Sequence, residues 1–431
     1  MPSTILVVTV GGASAPIVSA IQAHQPEFVA FIGSKDQVGK PQSGSYMTVD
    51  GSGEPCDVRD EQKCPSCKAR IVKRQSKPSI VSQAGLSPER YQVIQVEPDD
   101  LNDAYGAIRD LLADLRRRFP DAMLIGDYTG GTKTMSAALM LAVIERGDAT
   151  PSLMVGQRSN LQRIDDGTEM ATAVDTRSWR VQRSLDLAAD LFDNYDYAAA
   201  QHSLEGVIRD IGLTPALRNT IQRRVQICRG FDAWDRFDHA EAHQLLQPFA
   251  KELGAHFTAL LALSGKGKAV GYEHVFDLVH NAERRAKRGR YDDAVARLYR
   301  AVELLAQRRL EINFNQYTGD IDIAALPESV RERYAARRAG DGKVRLGLQD
   351  AYQLLSDLED PLGTAFASVR SPLSNALATR NQSILAHGMT PLSAGLYSEL
   401  RQQFEALLTT AASIRFGKRP PQFPSLTELT A

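Results

Sequence analysis

Short runs of β-branched and apolar residues alternate with helical stretches through the first 180 residues, and this alternation constrains the fold most. The runs typical of strands are residues 4–10, 28–33, 91–96, 122–126 and 152–155. The stretches with helical spacing are residues 17–24, 102–119 and 135–145. Strands that alternate with helices indicate a parallel sheet with helices on both faces. Ligands bind such sheets beyond the carboxyl ends of the strands, where the topology reverses.

The second half of the chain has a different character. From about residue 183 strand signals vanish, and Leu, Ala, Arg, Glu and Asp recur at helical spacing. Three similar tetrapeptides, YDYA at 195–198, FDHA at 237–240 and YDDA at 291–294, each precede an amphipathic stretch and place Asp near a helix N-terminus. Both stacked helical hairpins of the tetratricopeptide kind and ordinary capping in a helix bundle fit this pattern.

Composition and charge exclude several classes of protein. Lys plus Arg number 51 and Asp plus Glu 52 in 431 residues, so a global basic coat for nucleic acid is excluded, although a local patch is not. No apolar run approaches the length of a membrane span. The opening MPSTILVVTVGG has no basic leader and is typical of a buried strand, and four cysteines fit a reducing compartment, so we expect a cytoplasmic protein.

Two glycine-containing loops follow predicted strands and precede predicted helices. They are GGASAP at residues 11–16 and DYTGGTKT at residues 127–134. Glycine lets backbone approach a ligand closely, and a helix N-terminus attracts anions, so the second loop suits a phosphodiester ligand with flat bases. Neither loop has the spacing of a P-loop or of a dinucleotide-binding fingerprint. Tight turns without any ligand are the alternative interpretation.

The segment ALATRNQSILAHG at residues 376–388 contains Arg380, Asn381 and His387. On one continuous helix, Arg380 and His387 lie about two turns and 10 Å apart on the same face, and Gly388 ends the helix. This pair suits metal-independent RNA cleavage, in which His moves protons and Arg stabilises the phosphorane. A two-fold dimer supplies the second acid or base. The alternative is a surface Arg and a structural His on an amphipathic helix.

The cysteines lie mainly in a polar stretch between the second and third predicted strands. Cys64 and Cys67 form a CxxC motif, and Cys56 precedes it by eight residues. Three thiolates need a fourth ligand for a structural zinc site, and Asp57, Asp60, a water or Cys228 are the candidates. A reduced turn without metal is the alternative.

Four segments together resemble the CARF–HEPN ribonucleases attached to type III CRISPR systems, in the long form with a helical middle region. They are TVGGASAPIVSAI, DYTGGTKTMSAAL, GRYDDAVARLYRAVELLAQ and RNQSILAHG, in the family's order. The resemblance implies an α/β plus all-α protein: a Rossmann-like CARF domain followed by helices that end in a HEPN bundle. The expected boundaries are 1–180 for CARF with an insertion at about 34–90, 181–270 for a helical linker region, 271–418 for HEPN and 419–431 for a flexible tail.

The resemblance also implies a function. The CARF domain dimerises and binds a cyclic oligoadenylate activator, and this allosterically switches on HEPN cleavage of single-stranded RNA, without metal, to a 2′,3′-cyclic phosphate. Carried onto this chain, the ligand residues are Gly11, Gly12, Ala13, Ser14, Gly33, Ser34, Thr129, Gly130, Gly131, Thr132 and Lys133. The catalytic residues are Arg380, Asn381 and His387.

Some CARF domains slowly cleave their own activator, and Thr129, Thr132 and Lys133 are the candidates for holding the scissile phosphate here. Two other functions remain open at this point: a non-catalytic, nucleotide-sensing dimeric regulator, and a nuclease directed at DNA. The expected partners are a second copy of the chain, the cyclic oligoadenylate and single-stranded RNA, with no membrane.

Overall fold

The computed structural model describes residues 3–37, 44–51, 62–63, 70–71, 78–157, 168, 170–209, 212–380, 383–385 and 388–430. The chain divides into two compact units, Met1–Arg180 and Val181–Ala431. In the described part of the chain, no helix is both long and apolar enough to cross a membrane.

The first unit is an α/β structure. Its strands are β1 (Thr4–Thr9), β2 (Phe28–Ser34), β3 (Gln62–Lys63), β4 (Arg70–Ile71), β5 (Tyr91–Val96), β6 (Met123–Asp127), β7 (Ala149–Val155) and β8 (Met170–Ala173). Its helices are α1 (Ala15–His24), α2 (Met47–Asp50), α3 (Ile80–Ala84), α4 (Leu101–Arg118) and α5 (Lys133–Arg146). These elements confirm the strand and helix alternation that the sequence predicts.

The main sheet has the strand order β5-β2-β1-β6-β7-β8, and its strands are parallel except for β8. From β1 the chain moves outward through β2 to β5, then crosses to the other side of β1 to form β6. The topology therefore reverses between β1 and β6, the position where open α/β sheets bind ligands. The glycine loops at residues 11–16 and 127–134 follow these two strands.

Alternate residues of the central strand β1 enter opposite cores, which is why its sequence is continuously apolar. Ile5 and Val7 pack with α4 and α5. Leu6 and Val8 pack with α1 and α3. All four side chains are fully buried, so helices cover both faces of the sheet as the sequence predicts.

The polar stretch after β2 contains local structure that its sequence pattern does not show. Helices α2 and α3 lie within it, and β3 pairs with β4 in a separate antiparallel hairpin. Cys56, Cys64 and Cys67 lie outside the described residues.

The second unit is all-helical. Its helices are α6 (Arg177–Asp193), which begins just before the unit boundary, α7 (Tyr197–Ile208), α8 (Pro215–Asp235), α9 (His239–Leu246), α10 (Ala250–Leu253), α11 (Ala255–Leu263), α12 (Glu273–Lys287), α13 (Tyr291–Phe314), α14 (Glu328–Ala335), α15 (Leu348–Asp357), α16 (Pro361–Arg380), α17 (Ala394–Thr410) and α18 (Leu426–Thr430). One core is formed by α6–α11 and the C-terminal segment, and another by α12–α17.

The three similar tetrapeptides mark equivalent turns before α7, α9 and α13. A residue with positive φ comes two positions before each of these helices: Tyr195 at 62°, Phe237 at 66° and Gly289 at 71°. Asp238 caps α9 by accepting a 2.9 Å hydrogen bond from the Glu241 amide. Asp196 makes no such cap and pairs with Arg288 at 2.6 Å instead, so the predicted capping role holds only in part.

The C-terminal segment is packed in the structure, contrary to the expectation of a flexible tail at 419–431. Phe423 and Leu426 are buried in the first of these two cores, against α6–α11. The Phe423 ring lies 3.8 Å below the guanidinium of the fully buried Arg284. The Leu426 amide donates a 2.9 Å hydrogen bond to Asp193. Burial of apolar side chains and these polar contacts hold the segment in place.

Candidate functional sites

The two glycine loops meet backbone against backbone beyond β1 and β6. A Cβ atom on Gly11 would lie 3.0 Å from the Gly131 nitrogen, and one on Gly130 would lie 2.3 Å from the Thr9 carbonyl oxygen. Gly131 has a φ of +80°, a conformation that other residues rarely adopt. Glycine is therefore required for this close approach, which brings the predicted ligand loops together.

Hydrogen bonds from the body of the sheet fix the second loop. Asp127 is buried and accepts a 3.1 Å hydrogen bond from the Thr129 amide, which forms an Asx turn. Thr129 Oγ1 accepts a 2.8 Å bond from the Met154 amide. Thr132 Oγ1 donates to the Pro98 carbonyl at 2.5 Å and accepts from the Met135 amide, which caps α5. These threonine hydroxyls thus hold the loop in shape.

Lys133 differs from its loop neighbours because its side chain is exposed at the first residue of α5. Within the part of the chain that the structure describes it forms no ion pair, so its charge is available at the loop surface. Gly12 and Ala13 of the first loop are also exposed, whereas Ser14 is fully buried and its hydroxyl accepts a 3.1 Å bond from Gln83 Nε2. Ser14 lies in the wall of the loop and not at its surface.

Gly33 and Ser34 hold a neighbouring segment against the end of β2. A Cβ atom on Gly33 would lie 2.7 Å from Tyr46 Cα. The Ser34 amide donates to Ser45 Oγ and the Ser45 amide donates to Ser34 Oγ, each at 2.8 Å. Residues 44–46 therefore cover this strand end. Gly33 and Ser34, both predicted to bind ligand, are used in that packing.

A polar cluster behind the loops is not apparent from sequence spacing. His24 Nε2 lies 3.0 Å from Ser152 Oγ, and Ser152 is the cross-strand partner of Asp127. Burial raises the pKa of Asp127. Burial also lowers the pKa of His24, and this effect outweighs the negative charge of Asp127, which would raise that pKa. The position of Asp127 at the end of a predicted strand is the one sequence signal that points to this cluster.

The second predicted site begins where α16 ends, at Arg380. The Arg380 guanidinium lies over the ring of Tyr299, 4.8 Å from its centroid. The Leu392 amide, beyond the motif, makes a long 3.4 Å contact with each carboxylate oxygen of Asp292. Tyr299 and Asp292 both belong to α13, and sequence spacing gives no sign of either contact.

The prediction of one helix through residues 376–388 is wrong. The Ser383 amide bonds to the Arg380 carbonyl at 3.0 Å, and the Gly388 amide bonds to the Ser383 carbonyl at 3.2 Å. Helix α16 ends at Arg380, and the bond from the Ser383 amide is of the i+3 type typical of turns. Gly388 lies beyond this end and bonds to Ser383, so it does not stop the helix. Asn381 and His387 lie outside the described residues, and the predicted shared helix face of Arg380 and His387 loses its basis because α16 ends at Arg380.

The described residues contain no group of three or more His, Cys, Asp or Glu side chains suited to a metal ion. Cys228 in α8 is buried, which raises its pKa to about 12. A cysteine binds zinc as the thiolate, so this thiol is a poor choice among the four candidates for a fourth ligand. The predicted set of Cys56, Cys64 and Cys67 lies outside the described residues.

Among known protein families, a match is found for part of the helical unit. The family model of the Csm6 HEPN domain matches residues 265–411, which include Arg380 and α13. Csm6 from Enterococcus italicus, solved with cyclic hexa-2′-fluoro-hexa-dAMP bound, has a similar fold. Its TM-score is 0.52 at 14% identity, over 96% of this chain and 96% of that chain. No curated protein matches the sequence.

Residues 265–411 thus match the Csm6 HEPN domain, and the fold of the whole chain is similar to that of Csm6. The unit Met1–Arg180 has the Rossmann-like fold expected of a CARF domain, and the joined glycine loops lie at its topological reversal. The Csm6 HEPN domain spans α12–α17, together with the R-N-x5-H motif at Arg380, Asn381 and His387. The fold class expected from the resemblance is therefore confirmed.

Proposed function

We propose that this protein is an endoribonuclease of type III CRISPR antiviral defence, activated by a cyclic oligoadenylate and independent of metal. The match of residues 265–411 to the Csm6 HEPN domain carries the proposal, because that stretch contains the whole R-N-x5-H motif. Arginine and histidine are the groups that RNA cleavage without a metal requires.

The activator is proposed to bind at the joined glycine loops of the CARF unit. Exposed backbone at Gly12 and Ala13, the N-terminus of α5 and the Lys133 ammonium together suit a phosphodiester. The Enterococcus italicus Csm6 structure contains a cyclic adenylate analogue, which supports a cyclic oligoadenylate as the ligand class. Gly11, Gly130 and Gly131 serve this site by letting the two loops touch.

The proposed reaction is an internal transesterification. The ribose 2′-oxygen attacks the adjacent phosphorus while His387 takes the 2′ proton or protonates the departing 5′-oxygen, and the P–O5′ bond breaks to leave a 2′,3′-cyclic phosphate. Arg380 stabilises the additional negative charge on the phosphorane, and Asn381 orients the phosphate or the histidine.

Two copies of the chain are proposed to complete the site. One motif supplies a single histidine, whereas the reaction uses both an acid and a base, and a two-fold axis repeats the same patch. Large apolar side chains beside the motif are exposed: Ile384 at 65%, Leu385 at 46% and Met389 at 82%. Exposed apolar groups of this size favour a protein contact, and a second HEPN surface is the occupant that also supplies the missing histidine.

Three finer points stay predictions. Slow cleavage of the activator has fewer candidate groups than the sequence suggests, because the Thr132 hydroxyl already both donates and accepts within the fold. Zinc at Cys56, Cys64 and Cys67 is testable by metal analysis of freshly purified protein. A cytoplasmic location follows from the proposed role and from the reduced cysteines expected there.

The proposal is tested by comparing wild type and His387→Ala on matched oligonucleotides, one all-ribose and one with 2′-deoxyribose at the cleaved position. We expect wild type to cut only the ribose substrate and His387→Ala to lose cleavage. Cleavage of the deoxy substrate would instead indicate a DNA-directed nuclease. An inactive wild type that still binds cyclic adenylates would indicate a regulator.

A further inference from the structure

One helix of the HEPN domain contacts both ends of the segment that carries the proposed catalytic motif. Tyr299 of α13 lies against Arg380, where the segment begins. Just after the motif ends, the Leu392 amide donates a long hydrogen bond to the carboxylate of Asp292 in α13. Tyr299 and Asp292 are seven residues apart, which on a helix is about two turns and about 10 Å on one face.

The helix that makes these contacts is firmly anchored. It is 24 residues long, and Leu298 and Val302, on either side of Tyr299, are fully buried in the HEPN core. The Tyr352 hydroxyl also donates a 2.8 Å hydrogen bond to the Val302 carbonyl. The base of the Tyr299 side chain is therefore fixed in position, whereas Arg380 lies at the very end of its helix.

We propose that Tyr299 is a positioning residue that holds the Arg380 guanidinium ready for the scissile phosphate, an inference that rests on the proposed ribonuclease function. An aromatic face attracts a guanidinium within about 6 Å of the ring centroid. The guanidinium is planar, so it can contact a ring through its face and phosphate oxygens through the N–H groups at its edge. Because Arg380 is the last residue of α16, the ring limits the rotamers that this terminal side chain can sample.

The test is the kcat and KM of RNA cleavage, measured in the presence of cyclic tetra-adenylate and of cyclic hexa-adenylate. Tyr299→Leu removes the aromatic face, and we expect the rate to fall about 2- to 30-fold with little change in KM. Tyr299→Phe keeps the face and loses only the hydroxyl, so most of the rate should return. If the tyrosine only supported the fold, Tyr299→Leu and Tyr299→Phe would not differ in kcat alone.

The matched control is Tyr291→Leu on the same helix. Tyr291 also packs partly buried on the HEPN core, but its ring faces Tyr397 at 6.4 Å and not Arg380. We expect Tyr291→Leu and Tyr299→Leu to lower the melting temperature similarly, and only Tyr299→Leu to slow cleavage. Equal rates for the two leucine variants, or an equal loss for Tyr299→Phe and Tyr299→Leu, would overturn the inference.

Arg380→Ala separates failure of this inference from failure of the proposed function. If Arg380→Ala cleaves as fast as wild type, the ribonuclease assignment of that residue is wrong. If Arg380→Ala is inactive while Tyr299→Leu keeps full rate, the assignment stands and the positioning role of Tyr299 is wrong.

Discussion

The Thr9 hydroxyl donates a 2.7 Å hydrogen bond to the Gly130 carbonyl oxygen, which ties the carboxyl end of β1 to the loop that follows β6. Ser136, the fourth residue of α5, donates a 2.8 Å hydrogen bond from its Oγ to the same oxygen. The loop therefore has a fixed backbone before any ligand arrives, and little ordering is needed on binding.

Adding a methyl group at Gly130 should separate the two loops. The new Cβ of Gly130→Ala would lie 2.3 Å from the Thr9 carbonyl oxygen, so the backbone must shift. We expect the free energy of unfolding to fall by about 1–3 kcal/mol and affinity for cyclic adenylates to drop. Urea denaturation and calorimetry measure these quantities. Gly106→Ala in α4, where a Cβ meets nothing within 4 Å, should instead stabilise the protein by about 1 kcal/mol.

Lys133→Ala should weaken activator binding while leaving the fold intact, because its exposed side chain lies at the N-terminus of α5. A charged hydrogen bond contributes about 1.5–3 kcal/mol, so affinity should fall about 10- to 150-fold. Arg109→Ala removes the same charge from an exposed position of α4 and serves as the control. Equal affinities of wild type and Lys133→Ala for both cyclic tetra- and hexa-adenylate by calorimetry would remove Lys133 from the site.

Phe423→Ala should destabilise the helical unit strongly, because the ring is packed among Phe231, Trp234 and the Arg284 guanidinium. Replacing a buried phenylalanine by alanine costs about 3–5 kcal/mol. Thr427→Ala, on the exposed side of α18, should change stability by less than about 0.5 kcal/mol. Similar melting temperatures for both variants would mean that the C-terminal segment is not part of the folded core in solution.

Stability should fall as Glu283 becomes protonated. Burial alone would raise its pKa, but hydrogen bonds and charge from His280 and Arg401 outweigh burial and hold it at about 2, against an ordinary value of 4.5. A carboxyl with a depressed pKa stabilises the fold above its unfolded value, and this contribution is lost as pH falls from 4.5 towards 2.

The free energy of unfolding, measured against urea at a series of pH values, checks this expectation. Glu283→Gln cannot ionise, so its stability should depend less steeply on pH between about 5 and 2 than that of wild type. Parallel curves for the two proteins would show that Glu283 has an ordinary pKa in the folded state.

The sequence predicts the main sheet of the first unit well because each strand carries its own signal. Residues of β1 are buried on both faces, so its apolar run is continuous, and glycines mark the loops that must approach each other. The R-N-x5-H motif is harder to place, since apolar periodicity continues through residues 376–388 although α16 ends at Arg380.

Long-range contacts explain the remaining differences. Phe423, Leu426 and Leu429 recur at a spacing of three, a helical signal masked by the surrounding prolines, and they are buried by helices distant in sequence. The same is true of Tyr299, which meets Arg380 across 81 residues of chain. Local patterns do not show such pairings.

We propose that a cyclic adenylate switches on metal-independent RNA cleavage. This is tested most directly by following a fluorescent single-stranded RNA with wild-type protein and either cyclic tetra-adenylate or cyclic hexa-adenylate, with and without EDTA. We expect faster cleavage with at least one of the two activators and equal rates with and without EDTA. An RNA that stays intact with both activators, or cleavage that EDTA abolishes, would contradict it.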